Sequence, residues 1–332
     1  METDEKRLEQ ALRQSAQGDL YMERQDFGRA ELHYTEALKL APKEKGIRLQ
    51  RASALFAQGK YREAMEDYDL VLSQEPDHAQ ALYNRGVCRA NLGLLEEAVQ
   101  DYTRAIELHP QWASAFAVRG LARFCLEQYE EAIRDFTKAL EFQPHMADVL
   151  NARGHSYLIS GDYDLALDDF TRALEITPRW VEPLMSRGTV YLILGRDQEA
   201  LADLNRAVEL APESAELYLA RGTVLESKGN LEGAQRDYRT CLELDPSSAR
   251  GAALLARLLG RCEGELFEAL DWAEKAVARD PEDPTAWDAK GWILFRLGRP
   301  KEALACAEKA VALDPSDGDL RNHLRLIRSA CG

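Results

Sequence analysis

The sequence predicts an all-α solenoid of nine antiparallel helix pairs closed by one further capping helix. Three observations carry this. Pro42, Pro76, Pro110, Pro144, Pro178, Pro212 and Pro246 stand 34 residues apart, and Pro281 and Pro315 follow after 35 and 34. Between them, small residues recur at three fixed places. A glycine recurs where a turn must fall between two amphipathic stretches. Self-similarity at this period marks stacked helix pairs, each too small to bury its apolar face alone.

With each of those prolines numbered position 32, the repeats span 11–44, 45–78, 79–112, 113–146, 147–180, 181–214, 215–248, 249–283 and 284–317. Position 20 is alanine throughout: Ala30, Ala64, Ala98, Ala132, Ala166, Ala200, Ala234, Ala269 and Ala303. Position 27 is alanine except for Val71 and Cys241, and position 8 is glycine or alanine from Gly18 to Gly222 and again at Gly291. Position 24 carries a ring in Tyr34, Tyr68, Tyr102, Phe136, Phe170 and Tyr238, and leucine in Leu204. Small residues at 8, 20 and 27 let two helices approach closely, and the ring at 24 fills the space beside them. Gly59, Gly93, Gly161, Gly195, Gly229, Gly264 and Gly298 are expected to end the first helices as left-handed caps. Pro183, Pro284 and Pro300 fall in first turns, where a missing N–H costs nothing.

These residues resemble the tetratricopeptide repeat family, with its small residue at 8, alanine at 20, aromatic at 24, alanine at 27 and proline at 32; the resemblance runs from Ala11 to Asp317. It implies a right-handed superhelix whose first helices line a concave groove. A chain of 332 residues would ordinarily hold two or three domains, but a repeat array has no single core to outgrow. One domain over 1–332 is therefore expected. Departures are local. Gln25 replaces the usual glycine in the first repeat, and the eighth has one extra residue near Gly260-Arg261-Cys262-Glu263, so a bend or looser joint is expected there. Ala273 and Ala307 stand at position 24 of the last two repeats, which are expected to pack with less aromatic volume. Residues 318–330 read as the cap, with Leu320, Leu324 and Ile327 inward and Arg321, Arg325 and Arg328 outward.

The composition bounds the function. With 45% hydrophobic and 30% charged residues the chain has no disorder signature. Its net charge of −15 argues against nucleic acid and against anionic membranes as partners. There is no apolar run for a signal peptide or a membrane span, so no membrane insertion is expected. Cys88, Cys125, Cys241, Cys262, Cys306 and Cys331 lack metal-type spacing and fit reduced thiols; a cytoplasmic protein is expected. No phosphate-cradling glycine loop, HExxH or CxxC is present, and the six histidines form no ligand set. Neighbouring acids such as Asp168 and Asp169 do not share a helix face, so an acid–base pair is not expected. Neither an enzyme nor a cofactor is implied.

Two patterns point beyond the frame. Arg51, Arg85, Arg119, Arg153, Arg187 and Arg221 at position 7 accompany Asp67, Asp101, Asp135, Asp169, Asp203 and Asp237 at position 23, and they vanish together elsewhere. Bidentate bridges at the helix seams are expected, within a repeat or to its neighbour; an anion-binding ladder is the weaker alternative. The second pattern is the stripe of positions 2, 5, 9 and 12 on the first helices, largely uncharged in the middle repeats. Phe56, Tyr83, Val87, Trp112, Leu121, Phe124, Leu158, Trp180 and Met185 are the candidate apolar anchors for a partner peptide, with Asn84, Asn151 and His155 orienting its backbone. The same patch could instead serve packing or homo-oligomerisation, and a Trp before a helix could simply staple onto its first turn.

The resemblance permits one further test. The clamp that grips chaperone C-terminal tails needs Lys at 5 and Asn at 9, then Asn at 6, then Lys at 2 and Arg at 6 in successive repeats. Here only Asn84 fits, since Leu49, Ser53, Ser114 and Val118 stand at the other places. Chaperone tails are disfavoured. The expected function is a non-enzymatic scaffold or adaptor for a protein or peptide partner. A regulatory or substrate-docking subunit of a separate enzyme, or a self-associating assembly protein, are the alternatives.

Overall fold

The structure, a computed structural model, describes residues 2–261 and 263–330, so Cys262 and Cys331 lie outside the described residues. All regular elements among these residues are helical. The helices group into two compact units, Met1–Ile176 and Thr177–Gly332. The first unit holds α1 (Glu2–Glu23), α2 (Phe27–Leu40), α3 (Lys45–Ala57), α4 (Tyr61–Gln74), α5 (Ala79–Asn91), α6 (Leu95–Leu108), α7 (Ala113–Cys125), α8 (Tyr129–Phe142), α9 (Ala147–Ser160) and α10 (Tyr163–Ile176). The second holds α11 (Val181–Ile193), α12 (Asp197–Leu210), α13 (Ala215–Ser227), α14 (Leu231–Leu244), α15 (Ala249–Leu259), α16 (Leu266–Arg279), α17 (Pro284–Arg296), α18 (Pro300–Leu313) and α19 (Gly318–Ala330), with a short 3₁₀ turn at Glu263–Glu265. Within each unit the helices pair in sequence order, first with second, and each pair packs on the next. The first helix begins nine residues ahead of the first repeat, because Glu5 to Gln10 are good helix formers that extend it upstream.

Local chemistry sets both ends of each pair. Five first helices stop at a glycine with φ between +69° and +83°, namely Gly59, Gly93, Gly161, Gly195 and Gly229, as does α17 at Gly298. The next amide then bonds back across the turn, as Leu94 N–H does to the Arg89 carbonyl at 2.9 Å. Gln25 and Glu127 adopt the same left-handed conformation with φ of 57° and 59°, where an L side chain is disfavoured. Gly264 departs from the expectation: it lies inside the 3₁₀ turn and has no positive φ. The helix before it stops early, at Leu259, and none of the described residues of this turn has a positive φ. The second helices end one residue before the proline, at extended residues such as Ala41, Glu75 and His109 with φ near −132°. A residue preceding proline is excluded from the helical region.

The core of each pair is the close approach that the small residues permit. The nine alanines at position 20 are fully buried, as are the rings of Tyr34, Tyr68, Tyr102, Phe136, Phe170 and Tyr238. A Cβ on Gly86 or Gly120 would stand 2.6 Å from the Tyr102 or Phe136 ring. In the second repeat Ala52 takes that place opposite Tyr68, so one methyl can be housed there.

The expectation of a looser joint near residue 260 is corrected. A single apolar cluster runs from Ala234 to Ile327 through α15, α16 and α17. α15 is buried around nearly its whole circumference by Ala252, Leu254, Leu255, Leu258 and Leu259, and these leucines supply the volume missing at Ala273 and Ala307. Gly260 lets α17 come so near that a Cβ there would sit 2.9 Å from Ile293. Trp272, Trp287 and Phe295 pack against the same cluster. On α19, Leu320 and Ile327 are buried and the arginines are outward.

Two substitutions test these arguments. Gly120→Val should lower the stability of the chain by about 1–3 kcal/mol through overpacking against Phe136. A urea midpoint equal to that of the unsubstituted chain would contradict the close-packing account. Glu127→Gly should raise the stability by up to about 1 kcal/mol, read as a higher urea midpoint, since the left-handed penalty exceeds the extra chain entropy of glycine.

Candidate functional site

Each position-7 arginine makes a two-pronged bridge to the aspartate of its own repeat. Arg85 Nε and Nη2 donate to Asp101 at 2.9 and 2.6 Å, and Arg119 to Asp135 at 2.9 and 2.7 Å. Arg51–Asp67, Arg153–Asp169, Arg187–Asp203 and Arg221–Asp237 repeat the geometry at 2.7–2.8 Å. The third arm, Nη1, reaches the preceding repeat: Arg85 to Asp69 at 2.6 Å, and Arg119 and Arg153 to Thr103 and Thr137 at 3.0 Å. Thus one side chain ties both its own helix pair and the neighbouring one. The aspartates are only 1–7% exposed. Hydrogen bonding to Asp67 lifts the Arg51 guanidinium further above its ordinary range, while burial pushes the Asp169 carboxyl upward against the pull of Arg153. Arg89 and Arg123, which the position-7 pattern does not include, add second donors to Asp101 and Asp135 at 2.6 and 2.7 Å. With every guanidinium of this set engaged by a carboxylate, no ladder of free cations exists for an anion.

The stripe residues of the first unit come together in part. Phe56, Tyr83, Asn84 and Val87 line a cavity of about 350 Å³ together with Ser53 and Tyr68. Burial pushes the Tyr68 phenol up to about 12, with Ser53 and Asn84 hydrogen bonding in the opposite sense. The Trp112 indole, at the start of α7, lies back onto the Tyr83 ring with centroids 4.6 Å apart. It also walls a second, more open cavity of about 560 Å³ with Ala79, Gln80, His109, Pro110 and Gln111. Of the two stacked rings, Tyr83 thus lines the first space and Trp112 the second.

Further along the unit, Leu121 is 45% exposed, Phe124 is half-buried edge-on to Tyr129, and Leu158 is half-buried. His155 stands edge-on to Phe170 at 5.2 Å. Asn151 does not fit its expected part: it is buried on α9, 6% exposed. In the second unit, Trp180 stands just before α11, makes no capping hydrogen bond and is half-buried. Met185 borders a cavity of about 200 Å³ with Thr189, Leu192, Leu219 and Thr223, edged by Glu216 and Arg250.

Sequence reasoning missed Tyr68. Position 24 reads as frame, yet a tyrosine there sends its hydroxyl toward the stripe. Tyr34 donates to Asp19 at 2.7 Å and Tyr238 to Glu226 at 2.8 Å. The available signal was Tyr rather than Phe at this position alongside a polar residue at position 9 or 12; Tyr102, beside Val87 and Ala90, does not follow it. In the second unit the polar stripe residues are already engaged. Glu226 holds Arg257 and Arg261 at 3.1 and 3.2 Å, and Asp288 pairs with His323 at 2.9 Å.

Little else here is equipped for chemistry. Among the described residues no group of His, Cys, Asp and Glu could hold a metal ion, and no helix is long and apolar enough to cross a membrane. Burial pushes the Cys88 thiol up to about 12 and those of Cys241 and Cys306 upward, away from a reactive thiolate. Asp169, the candidate partner of Asp168, is bound by Arg153.

Pairs of helices stacked through small residues, with variable side chains confined to one stripe, define a helical repeat protein. Profiles of the tetratricopeptide repeat match residues 15–72, 49–112, 147–179, 215–248 and 284–317, and a further profile of the same repeat matches 188–229. The chain belongs to the tetratricopeptide repeat family, whose members mediate protein–protein interaction. It is 34% identical over 64 residues to Hsp70-Hsp90 organizing protein 3 of Arabidopsis thaliana, a stretch that spans 19% of this chain and only 12% of that relative. Among solved structures it resembles a tetratricopeptide repeat protein from Parabacteroides merdae, at 23% identity and a TM-score of 0.56, over 74% of this chain and 98% of that one. It also resembles a chain of the APC/C hetero-tetramer Cut9-Hcn1, at 16% identity and a TM-score of 0.61, over 96% of this chain and 76% of that one. At these identities the structural likeness is one of fold.

The bridges can be weighed against each other. Arg153→Ala leaves Asp169 with only Arg172 at 3.7 Å, and should cost about 3–5 kcal/mol as a buried carboxylate loses its partner. Arg119→Ala leaves Arg123 bound to Asp135 at 2.7 Å and should cost less, about 1–3 kcal/mol. Denaturant titration of the two variants would expose an error in this account if the order were reversed.

Proposed function

We propose that the chain is a non-enzymatic scaffold or adaptor that binds a peptide segment of a partner protein along the stripe of its first helices. The observation that carries this reading is the pocket of Ser53, Phe56, Tyr68, Tyr83, Asn84 and Val87, with Leu121 and Phe124 at stripe positions 9 and 12 of the next repeat. It presents half-exposed apolar side chains without a charged group, in a chain with a net charge of −15. Apolar and aromatic anchors flanked by a few amides are the composition that peptide interfaces favour.

Chaperone C-terminal tails are a poor fit despite the likeness to an Hsp70-Hsp90 organizing protein. A tail carboxylate needs lysines and asparagines where Leu49, Ser53, Ser114 and Val118 stand. The partner reading thus rests on apolar anchoring.

Val87→Glu combined with Leu121→Glu places two carboxylates on the stripe at side chains that are half-buried and exposed. Affinity capture from the native source, read by mass spectrometry, should lose its specific partner with the double variant. Helical content and melting temperature should stay as they are. Undiminished capture would instead assign the patch to packing.

A further inference from the structure

We propose that the uncovered face of α1, about Leu12, Ala16 and Leu20, docks an amphipathic helix of a partner protein that carries Lys or Arg near both of its ends. No α1 residue lines the Phe56–Tyr83 pocket, so this is a second surface.

The repeat itself identifies the face. Positions 3 and 10 of every later first helix, from Ile47 and Ala54 in α3 to Leu320 and Ile327 in α19, are buried. They pack on the second helix of the preceding repeat. Ile47 and Ala54 join Ala30, Tyr34 and Ala37 of α2, and Ala81 and Cys88 join Ala64, Tyr68 and Val71 of α4. In α1 the same two positions are Arg13 and Leu20, and both are exposed, Leu20 at 44%. Ala16, exposed, and Leu12, 53% exposed, continue the row at spacings of four. α1 thus lacks the cover that its later counterparts have.

The cover elsewhere, the fate of the backbone and the charges choose the occupant. The second helix that covers this face in later repeats brings small and ring residues at i, i+4 and i+7, as in Ala30, Tyr34 and Ala37. A helix also arrives with its backbone groups already paired, whereas an extended segment would lay unpaired N–H and C=O groups on leucine and alanine. Charge then fixes the ends. Glu5 and Glu23 are about five turns apart and so stand on one line of α1, roughly 27 Å long, with Leu12 and Ala16 on either side of its middle. Both are exposed, and neither holds an ion pair among the described residues. Of the nearby cations, Lys6 and Arg13 are engaged, the latter by Glu9 at 2.6 Å, Arg7 lines a hollow beside Pro42 and Lys43, and Arg24 follows the helix end. Lys or Arg near both ends of the docked helix meets the two free carboxylates, and the net charge of −15 draws such a helix in.

A second copy of the chain fits poorly. Laid on itself, α1 sets Glu5 against Glu23 when antiparallel and each glutamate against its like when parallel. The matching face of the last second helix is taken, since Ala303 and Ala307 of α18 already pack with Ile327 of α19.

The test is calorimetric titration of the full chain with an end-capped helical peptide of about 22 residues, long enough to span both glutamates. It has alanine and leucine at i, i+4 and i+7, glutamine between them and two lysines at each end; its twin has glutamates in place of the lysines. The lysine peptide should bind, and the glutamate peptide about tenfold more weakly. Leu12→Gln with Leu20→Gln, at exposed places where glutamine keeps the helix, should weaken the lysine peptide by roughly tenfold or more. Glu5→Gln with Glu23→Gln should weaken it by roughly 2- to 10-fold, and less at high salt. Circular dichroism and melting check that both variants stay folded. No binding of the lysine peptide, equal affinity for the two peptides, or binding that survives Leu12→Gln with Leu20→Gln overturns the inference. So does a sedimentation mass of two chains that falls to one in that variant, which would give the face to a second copy. Val87→Glu with Leu121→Glu should leave the binding unchanged; if that variant alone weakens it, the inference falls and the stripe reading stands.

Discussion

Each helix pair depends on a contact with almost no side chain in it. Where Gly86 faces Tyr102 or Gly120 faces Phe136, a methyl would stand 2.6 Å from the ring, so the helix backbone itself forms one wall of the core. Alanines at position 20 hold the second helix equally near, and the ring supplies the bulk that neither helix offers elsewhere. Dispersion falls steeply with separation, so this close approach is where packing energy concentrates. The turn glycines and the prolines follow from it, because helices packed this closely must start and stop at the same depth in each repeat.

The arginine bridges add orientation to that packing. A guanidinium with two arms on its own aspartate and a third on the preceding repeat resists rotation of one pair against the next within a unit. Buried in this way the charges are occupied with each other, which leaves the surface stripe without strong electrostatic features in its middle repeats. Cys88, Cys241, Cys306 and Asp169 are likewise withdrawn from chemistry, the thiols by burial and the carboxylate by Arg153.

Much of this was legible in the residues because a repeat reports the same constraint many times over. Ala30 and its eight counterparts, the rings at position 24 and the arginine–aspartate pairing each needed no neighbour outside their own repeat to be recognised. What was misjudged lay where a repeat departs from its fellows. Gly264 reads as a cap but sits in a 3₁₀ turn, since the preceding helix had already ended at Leu259. Asn151 reads as a groove residue but is buried, and Tyr68 reads as frame but floors a pocket. In both cases the packing of neighbouring helices, which spacing along the chain does not report, decides whether a polar atom faces the interior or a cavity.

The sequence by itself determined the helix pairs, most of their boundaries and buried residues, and that arginines and aspartates would bridge at the seams, leaving open whether within a repeat or to its neighbour. These are local or nearest-neighbour matters, set by backbone conformation and by volume at fixed spacing. The tertiary structure decided the rest. It laid Trp112 onto Tyr83, sent the third arm of Arg85, Arg119 and Arg153 to the preceding repeat, and let the leucines of α15 replace the missing rings of the last repeats. Those outcomes depend on how far one helix stands from the next, a distance that emerges only when all the side chains at a seam are packed at once.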